Sequence, residues 1–178
     1  MKIQILVTLL LVMMMLTDCT RNRRSRETSN PSPPRTEKTE RIANSRIVRH
    51  GKTIVKMRKE AGVYHVPCKI NGTEMEFIFD TGASDITMSL TEASFLYKQG
   101  KLKDDDIVGK QQYQIADGSI HEGVVVILRK VQIGEWELQD IQASIVDNME
   151  APLLLGQSAL AKFGKISIDY NKNEIIFE

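Results

Sequence analysis

Apolar and polar residues alternate from Tyr64 to Ile70, with Tyr64, Val66, Cys68 and Ile70 separated by His65, Pro67 and Lys69. That period of two predicts a strand with one buried face. Asn71-Gly72 follows, a pair suited to a type I′ turn because both central positions take positive φ. The return strand sets Met75, Phe77 and Phe79 inward against Glu74 and Glu76, and it runs straight into Asp80. Upstream, residues 53–58 (TIVKMR) predict one short strand.

Downstream, Ser89-Leu90-Thr91-Glu92 has the form of a capping box, with Ser89 starting a helix and Glu92 reaching back. Residues 93–99 continue that helix, Gly100 ends it, and residues 101–106 read as a polar loop. A second hairpin turns at Asp117-Gly118 between residues 113–116 and 124–128. A third, residues 131–133 against 138–146, turns at Gly134-Glu135. Leu153-Leu154-Leu155-Gly156 is a short apolar run of the kind found in buried central strands. Residues 157–163 read as a short helix stopped by Gly164, and residues 166–169 and 174–177 as a closing hairpin. The domain from residue 47 to 178 is therefore expected to be all-β with one or two short helices, and it shows no internal repeat.

Composition divides the chain. Residues 20–60 hold 13 Lys/Arg against 4 Asp/Glu, whereas residues 61–178 hold 10 against 18, so a net charge of +1 hides a basic stalk on an acidic domain. Residues 21–41 (RNRRSRETSNPSPPRTEKTER) combine arginine, serine, threonine and three prolines with no large apolar side chain. Such a stretch cannot bury enough surface to fold, so residues 20–46 are expected to be a disordered stalk. Without interleaved aromatics or a recognisable module, its charge does not predict a nucleic-acid partner.

Residues 1–19 read as a signal, lipoprotein-type or membrane-anchor segment. Lys2 precedes an apolar run, residues 3–16, shorter than the roughly 20 residues of a usual spanning helix. Leu16-Thr17-Asp18-Cys19 is similar to a bacterial lipobox, which would make Cys19 a lipidation site, although Asp18 stands where that motif has a small residue. The expectation is export to the periplasm with a membrane or lipid anchor, as the similarity to a bacterial lipobox implies. Arg21, Arg23, Arg24 and Arg26 fit a cytoplasmic-facing anchor instead.

Most catalytic chemistries lack their residues here. Cys19 and Cys68 are far apart and His50, His65 and His121 are isolated, so no zinc site is expected. Asp104-Asp105-Asp106 lacks the spacing of a calcium loop. There is no phosphate-binding glycine loop and no nucleophile elbow, so neither metal nor cofactor is expected. What remains is Asp80-Thr81-Gly82.

Around this tripeptide the chain resembles the retropepsin-like aspartic proteases. Residues 77–86 (FIFDTGASDI) fit the family's pattern of three apolar residues followed by Asp-Thr/Ser-Gly-Ala/Ser. Ile115-Ala116-Asp117-Gly118-Ser119 lies about where the family has its flap, and Leu153-Leu154-Leu155-Gly156 with its following helix is similar to the second apolar-Gly element. The tail, through Phe163-Gly164 and Ile168-Asp169 to a last strand, looks most like small membrane-tethered bacterial members.

The resemblance implies a closed β-barrel half-lobe of the acid protease fold and an aspartic endopeptidase. It casts Asp80, Thr81 and Gly82 as catalytic and Ala83, Ser84, Ala116, Asp117, Gly118 and Ser119 as substrate-binding. Leu154, Leu155 and Gly156 would support the loop. Two carboxylates held a hydrogen bond apart share one proton, so one can activate water while the other protonates the scissile carbonyl. Because the chain has one Asp-Thr-Gly, the implied enzyme is a homodimer acting on a peptide or protein substrate, with Gly82 letting two backbones approach. Residues 53–58 and 175–177 are the candidates for a shared interface sheet. The alternative is a non-catalytic peptide-binding or interaction domain on the same fold. Ser84, where viral members commonly carry Asp, and Gly156-Gln157-Ser158, where they carry Gly-Arg-Asp/Asn, keep viral dimer and backbone contacts from being transferred.

Overall fold

A computed structural model describes residues 46–48, 51–115 and 117–178. The apolar segment, Cys19, the stalk up to residue 45 and Ala116 lie outside the described residues. In chain order the strands and helices are β1 (Arg46–Val48), β2 (Thr53–Lys56), β3 (Arg58–Glu60), β4 (Val63–Ile70), β5 (Thr73–Phe79), β6 (Ile86–Ser89), α1 (Leu90–Lys98), β7 (Ile107–Gln114), β8 (Ile120–Ile133), β9 (Trp136–Val146), β10 (Leu154–Leu155), α2 (Gln157–Leu160), β11 (Ile166–Asp169) and β12 (Glu174–Phe177).

The larger sheet closes on itself. Its order runs β1-β9-β6-β10-β5-β4-β8-β7, and the extra pairing of β8 with β9 turns β9, β6, β10, β5, β4 and β8 into a ring. The strand alternation of the sequence points into that ring: Val66, Cys68, Ile70 and Phe77 are buried, facing Val126, Leu128, Val131, Leu138, Ile141 and Ala143 across the core. Asn71 and Gly72 take φ of 50° and 88°, as the I′ turn between β4 and β5 requires. The Asn71 side chain reaches further, donating to Lys101 O at 2.7 Å and accepting from Lys130 N at 2.9 Å, which ties the turn to β8.

A second sheet, β11-β12-β2, is joined to the barrel by an aromatic cluster. Phe163 and Phe177 have ring centroids 4.7 Å apart, and Trp136 stands 5.9 and 6.0 Å from them. The indole Nε1–H of Trp136 donates to Gly51 O at 2.7 Å, so its polar edge is satisfied while its rings are buried.

Three local expectations change. Residues 53–58 form two strands, because the chain switches sheets at Met57: β2 pairs with β12 and β3 with β4, and Met57 is buried at the switch. Ser89 Oγ caps α1 by accepting from Thr91 N and Glu92 N, but Glu92 Oε2 is buried without a hydrogen-bond partner, so the reciprocal half of the box is not made. The loop at 101–106 is not uniformly solvated: Leu102 and Asp106 are buried, with Asp106 Oδ2 accepting from Lys103 N and lying 3.7 Å from Arg129. In the terminal sheet β12 has β11 on one edge and β2 on the other, and among the described residues the outer edges of β2 and β11 have no strand partner.

Replacing Phe163 with alanine removes the centre of the aromatic cluster and should destabilise the domain by about 3–5 kcal/mol. Urea denaturation followed by Trp136 fluorescence would measure it; a loss under 1 kcal/mol would show that the two sheets do not depend on this contact.

Candidate active site

β5 delivers Phe79 to the rim of the barrel, and residues 80–85 leave the sheet before β6 begins. A surface loop is ordinarily mobile, but this one is held along most of its length. β10 inserts between β5 and β6, parallel to the first and antiparallel to the second, with Leu154 beside Ile78 and Leu155 beside Phe79. Ile78 N donates to Leu153 O at 2.8 Å and Asp80 N to Leu155 O at 3.3 Å. Leu155 is buried beneath the loop and Leu154 half-buried.

The chain then turns at Gly156 into α2 and grips the far side of the loop. Gln157 N donates to Ala83 O at 2.9 Å and Ser158 N to Ser84 O at 2.8 Å. The Gln157 side chain adds a bond from Nε2 to Thr81 O at 3.1 Å. This tight seat needs a glycine at 156: a Cβ there would sit 2.2 Å from Asp85 O and 2.7 Å from Ala83 O.

Within the loop, Gly82 N donates to Asp80 Oδ1 at 2.8 Å, orienting the carboxylate. Asp80 is half-buried, while Thr81, Gly82 and Ser84 are exposed and Ala83 half-exposed. A Cβ on Gly82 would stand 3.2 Å from Asp80 Oδ1, so the glycine also keeps the approach to the carboxylate open.

β7 and β8 form the arm whose turn carries Asp117, Gly118 and Ser119. Gly118, with φ of 87°, closes the turn. Its N donates to Ile115 O at 2.9 Å, and Ile115 N donates to Ser119 O at 3.0 Å. Asp117 Oδ1 accepts from Ser119 N at 2.8 Å and from Ser119 Oγ at 2.7 Å, which holds the Asp117 carboxyl below its ordinary range. Ser119 Oγ also meets His121 Nε2 at 2.8 Å, and the His121 ring stacks on Tyr113. Thus several backbone groups expected to face a peptide are already engaged inside the turn.

Polar residues that the sequence reading did not single out surround the base of the arm. Asp85 Oδ2 lies 3.4 Å from Nε2 of both Gln111 and Gln142 and 3.5 Å from Ser144 Oγ. The available signal was Ser144, a hydroxyl amid the apolar core positions of β9. Among the described residues no group of three or more His, Cys, Asp or Glu side chains could hold a metal ion. A groove lined by residues 54–56, 67–69 and 74–76 contains none of the loop residues.

A barrel rim holding a clamped Asp-Thr-Gly loop beside a β-hairpin arm defines the class of aspartic proteases with one lobe per chain. The family model described as "gag-polyprotein putative aspartyl protease" matches residues 66–162, over half the chain, and the protein belongs to this retropepsin-like family. The fold is similar to the crystal structure of a retropepsin-like aspartic protease from Rickettsia conorii. The two share 25% sequence identity at a TM-score of 0.50, over 75% of this chain and 91% of the other. No curated protein matches the chain.

Gly156→Ala should cost about 3 kcal/mol in urea denaturation, because backbone carbonyls rather than flexible side chains face the new methyl. A stability equal to the wild type would show that residues 83 and 85 give way freely.

Proposed function

We propose that the protein is an aspartic endopeptidase that hydrolyses peptide bonds with a water activated between two Asp80 carboxylates, one from each subunit of a homodimer. The observation that carries this reading is the Asp80 loop itself. It is clamped by backbone hydrogen bonds on both sides, yet it leaves Thr81 and Gly82 exposed beside a single oriented carboxylate. One such loop supplies one carboxylate, and the division into a base and a proton donor needs two. A two-fold axis at Gly82 supplies the second from an identical surface.

In the first step one carboxylate takes a proton from water as the water oxygen attacks the peptide carbonyl carbon. The other carboxyl gives its proton to the carbonyl oxygen. Collapse of the tetrahedral species then breaks the C–N bond as the amine leaves with a proton. Thr81, at the exposed tip of the loop, is suited to register one loop against the other. The arm carrying Asp117, Gly118 and Ser119 covers an extended peptide, offering strand-type hydrogen bonds once its turn exchanges internal partners for the substrate. Ala83 and Ser84, on the same loop, line the peptide's path.

The apolar residues 3–16 and Cys19 support tethering to a membrane, with the polar stalk as spacer. Among the described residues no helix is long and apolar enough to cross a membrane.

In the full chain, Asp80→Asn should lower peptide-library cleavage at least about a hundredfold while leaving the melting temperature within a few degrees. Retention of full activity would overturn the reading. Sedimentation of the wild type with a peptide-like inhibitor should show a dimer; a monomer under all conditions would support the binding-domain alternative. For the tether, Cys19→Ser should abolish incorporation of a labelled fatty acid, and equal labelling of both forms would remove Cys19 from consideration.

A further inference from the structure

The polar side chains at the base of the arm form a continuous chain between two parts of the site. Gln111 lies on β7, the outgoing strand of the arm. Its Nε2 donates to Ser144 Oγ on β9 at 2.7 Å, the shortest bond of the group. Ser144, a residue only 4% exposed, donates onward through its hydroxyl to Asp85 Oδ2 at 3.5 Å. Gln111 and Gln142 each place Nε2 at 3.4 Å from the same oxygen.

Strand pairing produces this meeting. Thr87 pairs with Ser144 across the parallel β6–β9 ladder, Val125 pairs with Ser144 from the other side, and Gln111 pairs with Gly123. Gly123 lets the arm lie close to β9, since a Cβ there would stand 2.8 Å from Ile145 O and 3.1 Å from the Tyr113 ring. At the other end, the backbone of Asp85 is pressed against Gly156. The Asp85 carboxylate is therefore fixed in the frame of the Asp80 loop, whereas Gln111 belongs to the base of the arm.

As a stability device this arrangement is poor. It removes a carboxylate and three neutral donors from full hydration in return for bonds of 3.4–3.5 Å to the carboxylate, which are long and weak. An apolar cluster of the same volume would hold the strands better. As a positional device it is apt. Directional bonds that break and reform can report where the arm stands, and a chain of hydrogen bonds strengthens when its end is tightened.

We infer that Gln111, Ser144 and Asp85 are positioning residues forming a relay that couples the β7–β8 arm to the Asp80 loop, so that arm placement and loop geometry are set together. The catalytic consequence rests on the protease reading above; the mechanical coupling does not. When the arm settles, the Gln111–Ser144 bond orients the Ser144 hydroxyl toward Asp85. That contact draws on the loop segment whose carbonyls Gln157 and Ser158 hold.

Hydrogen–deuterium exchange on the full chain tests the coupling without requiring activity. Gln111→Met, which keeps the side-chain length, should accelerate exchange about fivefold to tenfold both in residues 107–125 and in residues 80–85. β11 and β12 should stay at wild-type rates. Faster arm exchange with an unchanged loop, or no change in either, would overturn the relay. Ser144→Ala should reproduce the pattern, and because Gln111 is only half-buried, the Gln111 variant remains informative if the buried one does not fold. Where Asp80-dependent cleavage is present, each single variant should raise KM and lower kcat together. The double variant should be no worse than the more damaging single one. Effects that multiply would assign the two residues to separate roles. Absence of cleavage in the wild type would sink the protease reading while leaving the exchange result to judge the relay.

Discussion

The structure depends on a missing atom. Gly156 lacks a Cβ, and this lets the segment after β10 lie directly against the carbonyls of Ala83 and Asp85. That approach permits Gln157 and Ser158 to donate to the loop, as β10 holds it from the other side. Without the close seat, residues 80–85 would be an ordinary solvent loop and Asp80 a charge without a fixed direction. The barrel brings β5, β6 and β10 into the arrangement where this grip is possible.

Ring closure supplies the rigidity. β8 is long enough to pair with β9 along its length while offering its other edge first to β7 and then to β4. One strand thus seals the barrel and projects the arm, and the base of the arm inherits the stiffness of the core. The small terminal sheet packs against the barrel through its aromatic cluster.

Much of the fold was legible because its signals are local. The alternation at Val66, Cys68 and Ile70 follows from the geometry of one strand, and Asn71-Gly72 and Gly118 mark turns through backbone φ alone. The reading failed where a local pattern was overruled by a distant surface. Met57 breaks an apparent strand because two sheets compete for its neighbours, and Asp106, within an evidently polar run, is buried beside Arg129. Glu92 has the right spacing for a capping box, but spacing does not oblige the side chain to turn back.

The sequence by itself determined the class of chemistry: one Asp-Thr-Gly after an apolar strand, a hairpin turn, and an apolar run ending in glycine, in that order. These are short motifs whose meaning survives without coordinates. Only the tertiary structure decided how they bear on one another. It showed that Gly156 is required by contacts with residues 83 and 85, and that Asp85 meets Gln111 and Ser144, 26 and 59 positions away. The physical reason is register. Which polar side chains share a carboxylate depends on how three strands slide into pairing, and that alignment is a property of the closed barrel, not of any one stretch of chain.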